Sequence, residues 1–204
     1  MLSATKSQFI DCLIQEKVLK FGDYILKSGM RSPFFLNFGN IASSEALKRT
    51  GKLFATTLSD FFPKATHVYG PPYKGISLAT ATVIMHQNPN LAMFYSRKEE
   101  KGHGEKGIFI GNTPDVNSTV VMIDDVMTTG ETKLQAITLL EETFPIKVAG
   151  IIVAVDRRRE QEREEFSIPL KAILDLVDFI DYLKIKDPAQ ADILNAFYKG
   201  VNHG

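Results

Sequence analysis

The sequence predicts an α/β fold: a parallel sheet flanked by helices on both faces, with a small N-terminal hood subdomain over it. Three observations lead there. From Thr66 onward, short apolar runs rich in β-branched residues alternate with helix-length segments, the pattern of strands wound into a parallel sheet. Val120-Val121-Met122-Ile123 is an unbroken apolar run, as expected of a strand buried on both faces. Residues 1–43 break the alternation with a helix and a hairpin, which predicts most of the hood. Residues 44–204 then form the core with its C-terminal helix, and the whole chain reads as one domain.

The elements follow in order. Thr5 to Glu16 predicts an amphipathic helix with Phe9 and Leu13 on one side. Phe21 to Leu26 and Ser32 to Phe38 read as two strands around the turn Lys27-Ser28-Gly29-Met30. Ser44 to Phe61 is a helix striped by Leu47, Phe54, Leu58 and Phe61. Thr66 to Tyr69 is a short strand, and Ile76 to Met85 a helix apolar or small nearly all round, hence buried. Leu91 to Ser96, Val120 to Asp124, Val148 to Val155 and Leu170 to Leu174 complete the strands. The helix after Gly130 carries Leu134, Ile137 and Leu140 at helical spacing. The stretch between Arg159 and Leu170 is too short for a full helix. A short helix over about Val177 to Ile185 and another from Pro188 end the chain.

Bulk properties narrow the function. The 204 residues suffice for one domain with a substantial core. Lysine plus arginine and aspartate plus glutamate each number 24, so a sequence-wide electrostatic case for nucleic acid is absent. Cys12 is the only cysteine, which excludes an internal disulfide and a cysteine-based zinc site. With no apolar run of membrane-spanning length and no signal-peptide core, a soluble cytoplasmic protein is expected.

The chemistry concentrates in Asp124-Asp125-Val126-Met127-Thr128-Thr129-Gly130-Glu131-Thr132. Paired carboxylates at the carboxyl end of a buried strand stand where open parallel sheets bind ligands. The turn after them opens a helix, whose free N–H groups and dipole favour a phosphate. Adjacent aspartates suit sugar hydroxyls or a hydrated cation such as Mg²⁺. Gly70-Pro71-Pro72-Tyr73-Lys74-Gly75 repeats the strand–turn–helix context and holds Lys74 near a helix N-terminus. Arg97-Lys98-Glu99-Glu100-Lys101-Gly102-His103-Gly104-Glu105 sets cations and a histidine among glycines, as in a surface loop that closes over an anion. Asp156-Arg157 ends another buried strand, and Arg157 can fork onto a planar carboxylate or carbonyl. Arg158, Arg159 and Arg163 lie among glutamates and read as self-paired and solvated. Phe34-Phe35-Leu36 either joins the core or offers a flat apolar surface to a heterocycle.

The acidic signature resembles that of type I phosphoribosyltransferases. Leu26-Lys27-Ser28-Gly29, Ser32-Pro33-Phe34-Phe35, Tyr73-Lys74-Gly75 and Arg97 to Glu105 are similar to the orotate phosphoribosyltransferase family within it. The resemblance covers nearly the whole chain and implies the type I phosphoribosyltransferase fold. It implies transfer of the phosphoribosyl group of phosphoribosyl diphosphate (PRPP) onto orotate, with Mg²⁺ as cofactor, in pyrimidine nucleotide synthesis. By the same resemblance Lys101, His103, Asp124 and Asp125 are the catalytic set. The amides of Met127, Thr128, Thr129, Gly130, Glu131 and Thr132, with the Thr128 and Thr129 hydroxyls, hold the 5′-phosphate, and Val126 belongs to the same substrate site. Asp124 and Asp125 hold the ribose hydroxyls, directly or through hydrated metal. Tyr73, Lys74 and Arg97 face the diphosphate, and Lys27 contacts PRPP. Phe35, Leu36, Thr128 and Arg157 meet orotate. Lys98, Lys101 and His103 act in the neighbouring subunit of a homodimer. Three positions depart from the family's habit: Leu36 stands where an aromatic is common, Glu131 brings a carboxylate to the phosphate turn, and Gly102 replaces a frequent acid. A phosphoribosyltransferase for another base and a non-catalytic PRPP sensor are the competing readings.

Overall fold

The computed structural model describes residues 2–25, 29, 31–97, 107–163 and 166–201. Helix α1 (Ala4–Gln15) starts where the Ser3 hydroxyl accepts from the Lys6 N–H and buries Phe9, Ile10 and Leu13. Strands β1 (Leu19–Ile25) and β2 (Arg31–Leu36) pair antiparallel as a separate two-stranded sheet. The second strand stops two residues short of the expected Phe38, which instead sits buried in a 3₁₀ turn, Phe38–Asn40. Helix α2 (Ser44–Phe61) has the bounds its stripe predicts, capped by the Ser43 hydroxyl on the Ala46 N–H. The expected Phe61, however, is 53% exposed, with the Lys171 ammonium over its ring.

The main sheet is built from β3 (His67–Gly70), β4 (Ala92–Ser96), β5 (Phe109–Gly111), β6 (Val120–Met127), β7 (Val148–Asp156) and β8 (Leu170–Asp175). Their order is β5-β4-β3-β6-β7-β8, parallel except for β5. Strand β5 was not expected from the sequence. Three residues ending in glycine are too few to show alternation, and they pair antiparallel with β4.

Helices α3 (Lys74–Met85) and α4 (Glu131–Thr143) cover opposite faces. Alternation along β6 shows how: Val121 and Ile123 join Leu78 and Ala79 of α3 in one core, while Val120 and Met122 join Ile137 and Leu140 of α4 in the other. The expected burial of α3 all round fails on one edge, where Ile84 is 74% exposed. The buried stripe of α4 is Lys133, Ile137 and Leu140, and the expected Leu134 lies outside it. Among the described residues between Arg159 and Leu170 the one helical element is a 3₁₀ turn, Glu160–Glu162, as the segment's length implies.

Helices α5 (Leu176–Lys186) and α6 (Pro188–Lys199) return to the N-terminal unit. The Tyr182 hydroxyl donates to Asp11 at 2.6 Å and Lys6 pairs with Asp178 at 2.7 Å. Phe34 of β2 packs edge-on against Phe179 and Phe197. The hairpin thus rests on both chain ends, and its aromatic core is continuous with that of the sheet. Among the described residues no helix is long and apolar enough to cross a membrane.

Candidate functional site

The site lies where the chain reverses its direction of travel across the sheet. From β3 it moves outward to β4, and from β6 outward to β7 and β8 on the other side. Pairing of β3 with β6 ends at Tyr69–Met122, but β6 stays paired with β7 as far as Met127–Asp156. The signature strand is therefore three residues longer than the sequence suggests, and Asp124 and Asp125 project from a stretch that β3 has already left. The crevice so formed, about 710 Å³ in volume, is walled by the turn after β3, the end of β4 and the first turns of α4.

The turn after β3 is held tightly against the acid strand. A Cβ on Gly75 would lie 2.9 Å from the Ile123 carbonyl oxygen and 2.6 Å from Pro71 Cδ, so only glycine fits there. This brings α3 two residues nearer the strand than expected, starting at Lys74, and the Pro72–Tyr73 peptide is cis. Across the crevice Gly130 caps α4 at φ 85°, a left-handed conformation that glycine adopts freely, with no side-chain cap bond. The first N–H groups of α4 lack partners within the helix, and Thr128, Thr129, Glu131 and Thr132 around them are exposed.

Each carboxylate is held at both oxygens. Asp124 accepts from the Asp125 N–H at 2.9 Å and from Lys133 Nζ at 2.6 Å. Asp125 accepts from the Val126 N–H at 2.8 Å and pairs with Lys74 Nζ at 3.1 Å. Lys133 also donates to the Val126 carbonyl at 2.7 Å. Burial pushes the Asp124 carboxyl above the usual carboxylate range; Lys133 opposes the shift and the Asp125 charge adds to it. Behind them the buried Tyr69 hydroxyl pairs with Ser96 at 2.7 Å, and burial raises its phenol pKa.

Arg157 joins the sheet to the hairpin. Its N–H donates to the Met127 carbonyl at 3.1 Å, and its guanidinium lies 5.1 Å from the centre of the Phe34 ring. Burial pulls its pKa below the ordinary arginine value. The neighbouring arginines are paired, though not all as expected: Arg159 bonds Glu162, but Arg158 forks onto buried Asp156 and Arg163 reaches Asp175.

The structure therefore brings together Tyr73, Lys74, Arg97, Asp124, Asp125 and Thr132 around one crevice, with Val126, Met127, Thr128, Thr129, Gly130 and Glu131 forming the strand end and turn beside it. It does not make one flat surface of Phe34-Phe35-Leu36. Phe34 and Leu36 pack into the core, whereas Phe35 is 40% exposed beside Tyr24. Lys27, Lys98, Lys101 and His103 lie outside the described residues. Sequence reasoning missed Lys133, which is only 5% exposed. Its signal was a cation four and seven residues before Ile137 and Leu140, on the buried stripe of the helix after the acid pair. Among the described residues no three acidic, histidine or cysteine side chains converge as a metal site. Two carboxylates already bonded to lysines suit a divalent ion only where water and substrate supply most of its ligands.

The phosphoribosyl transferase domain family matches residues 39–182. An orotate phosphoribosyltransferase of Clostridium acetobutylicum is 32% identical over 95% of this chain and 96% of its own. One from Legionella pneumophila is 37% identical over 90% of each. The crystal structure of the Francisella tularensis orotate phosphoribosyltransferase superposes with a TM-score of 0.78 at 28% identity, covering 95% of this chain and 98% of that one.

The raised Asp124 pKa has a consequence for stability. The folded chain holds this proton more tightly than the unfolded chain, so the contribution of Asp124 is complete below the ordinary carboxylate value of 3.8 and is lost as pH rises through the folded value. Urea unfolding of the native protein and of Asp124→Asn should show it. The native-minus-variant stability should fall as pH rises from about 4. A difference that is flat or rises over that range contradicts the assignment.

Proposed function

This chain belongs to the phosphoribosyl transferase domain family, and from that premise we propose that it transfers the 5-phosphoribosyl group of PRPP to N1 of orotate, giving orotidine 5′-monophosphate and diphosphate. The observation that carries this reading is an acid pair beside the open amide end of α4, in a chain similar to orotate phosphoribosyltransferases over nearly its full length. Such a site grips a phosphorylated sugar at two points. Amides toward the end of residues 127–132 and the Thr128 and Thr129 hydroxyls take the 5′-phosphate, and Asp124 and Asp125 accept from the ribose hydroxyls. Glu131, exposed in the first turn, contributes only its backbone N–H.

No protein nucleophile is required. Positive charge develops on the ribose and negative charge on the departing diphosphate, so the protein acts by holding the reactants and stabilising those charges. Tyr73, Lys74 and Arg97 line the crevice, and in this reading they face the diphosphate. Mg²⁺, bound to PRPP and water beside Asp124 and Asp125, would neutralise part of the diphosphate charge. Arg157 forks onto the orotate carboxylate, with Phe35, Thr128 and the backbone of Leu36 completing the base site. Lys27 contacts PRPP. The same reading makes the enzyme a cytoplasmic homodimer in which Lys98, Lys101 and His103 serve the neighbouring subunit's site.

A purine or an unsubstituted pyrimidine offers no carboxylate to Arg157, which disfavours the other-base reading. With PRPP and Mg²⁺, the absorbance of orotate should fall steadily, and uracil should react roughly 10⁴-fold more slowly, since it leaves the half-buried Arg157 guanidinium unpaired. Equal use of uracil, or no use of orotate by folded protein, contradicts the proposal.

Loop donation has its own test. Lys101→Ala and Arg157→Ala chains should each lose turnover by about a hundredfold or more. Mixing them should restore part of it, because a hybrid dimer keeps one complete site. Subunit exchange without recovery of activity would show that the loop serves its own subunit.

A further inference from the structure

We propose that Lys133 is a positioning residue that sets Asp124, and the start of α4, for the ribose of the donor substrate. The inference deepens the phosphoribosyl transfer reading and rests on it. The two lysines beside the acid pair differ in kind. The Lys74 side chain is 44% exposed and meets Asp125 from the turn after β3, whereas the Lys133 side chain is 5% exposed and comes from the first turn of α4. The exposed lysine is free to leave its carboxylate for an incoming phosphate. The buried one is bonded both to Asp124 and to the Val126 carbonyl, and leaving them would strand an ammonium in a buried place, so it stays.

Two bonds from Lys133 Nζ cross the gap between helix and strand, one to Asp124 Oδ2 and one to the Val126 carbonyl. They fix the distance between the helix amides that face the 5′-phosphate and the carboxylates that face the sugar hydroxyls. They also fix the Asp124 rotamer, because its other oxygen is already bonded to the Asp125 N–H. Each carboxylate oxygen has further acceptor capacity for a sugar hydroxyl. Lys133 thus acts on the sugar without touching it, and Lys74 acts on the diphosphate.

Calorimetric titration of the full chain with three probes, Mg²⁺ being present throughout, separates these roles: PRPP, ribose 5-phosphate and inorganic diphosphate. Lys133→Met should weaken PRPP and ribose 5-phosphate roughly tenfold to a hundredfold and leave diphosphate unchanged. Lys74→Met should weaken PRPP and diphosphate and leave ribose 5-phosphate unchanged. Lys133→Gln keeps a donor in place of the ammonium, and supplies the comparison should Lys133→Met fail to fold. Its loss should again fall on the sugar ligands, and be smaller. Equal weakening of all three probes would make Lys133 a support of the fold alone, and unchanged binding would remove any role; either result overturns the inference. If the native protein consumes orotate while the Lys133 variants bind like it, only this inference fails. If the native protein binds none of the probes, the transfer reading fails with it.

Discussion

Two adjacent carboxylates in one crevice repel each other, and unit charges about 4 Å apart near a protein surface do so by about 4 kcal/mol. Asp124 and Asp125 are kept together there because each has a lysine on one oxygen and a backbone N–H on the other. Lys74 and Lys133 come from the first turns of helices on opposite faces of the sheet. The acid pair therefore also fastens both helix N-termini to the strand between them. The tight seat of Gly75 and the left-handed cap at Gly130 are the backbone conditions for bringing those lysines so close.

The sheet supplies the space. Because β3 stops at Gly70 while β6 continues to Met127, polar side chains emerge beside an unpaired strand edge and not into a packed core. The hairpin adds the second half of the site. Phe34, wedged between Phe179 and Phe197, carries the Arg157 guanidinium on its face, so both chain ends help to position an arginine at the end of β7. The base side of the crevice thus depends on aromatic packing and the sugar side on ion pairs.

Much of this was legible in the sequence. Unbroken apolar runs revealed the buried strands, and an apolar stripe gave α2 to the residue. The acid pair and the glycine turn marked the site because strand, carboxylates and helix start follow one another directly in the chain. What was hidden depends on contacts between distant segments. Lys133 looks like an ordinary surface lysine until α4 is laid on the sheet. Arg158 sits among glutamates in sequence, yet pairs with Asp156 at the strand end. Strand β5 is too short to carry a period, and the length of β6 is set by its pairing with β7 and not by its own apolar run.

The central claim is that one phosphorylated sugar spans the acid pair and the α4 amides. A crystal structure of the Mg²⁺–PRPP complex tests it most directly. The account predicts the 5′-phosphate on the amides of residues 128–132, the ribose hydroxyls on Asp124 and Asp125, Lys133 still bonded to Asp124, and Lys74 turned toward the diphosphate. A 5′-phosphate bound elsewhere, with both carboxylates still closed on their lysines, would contradict it.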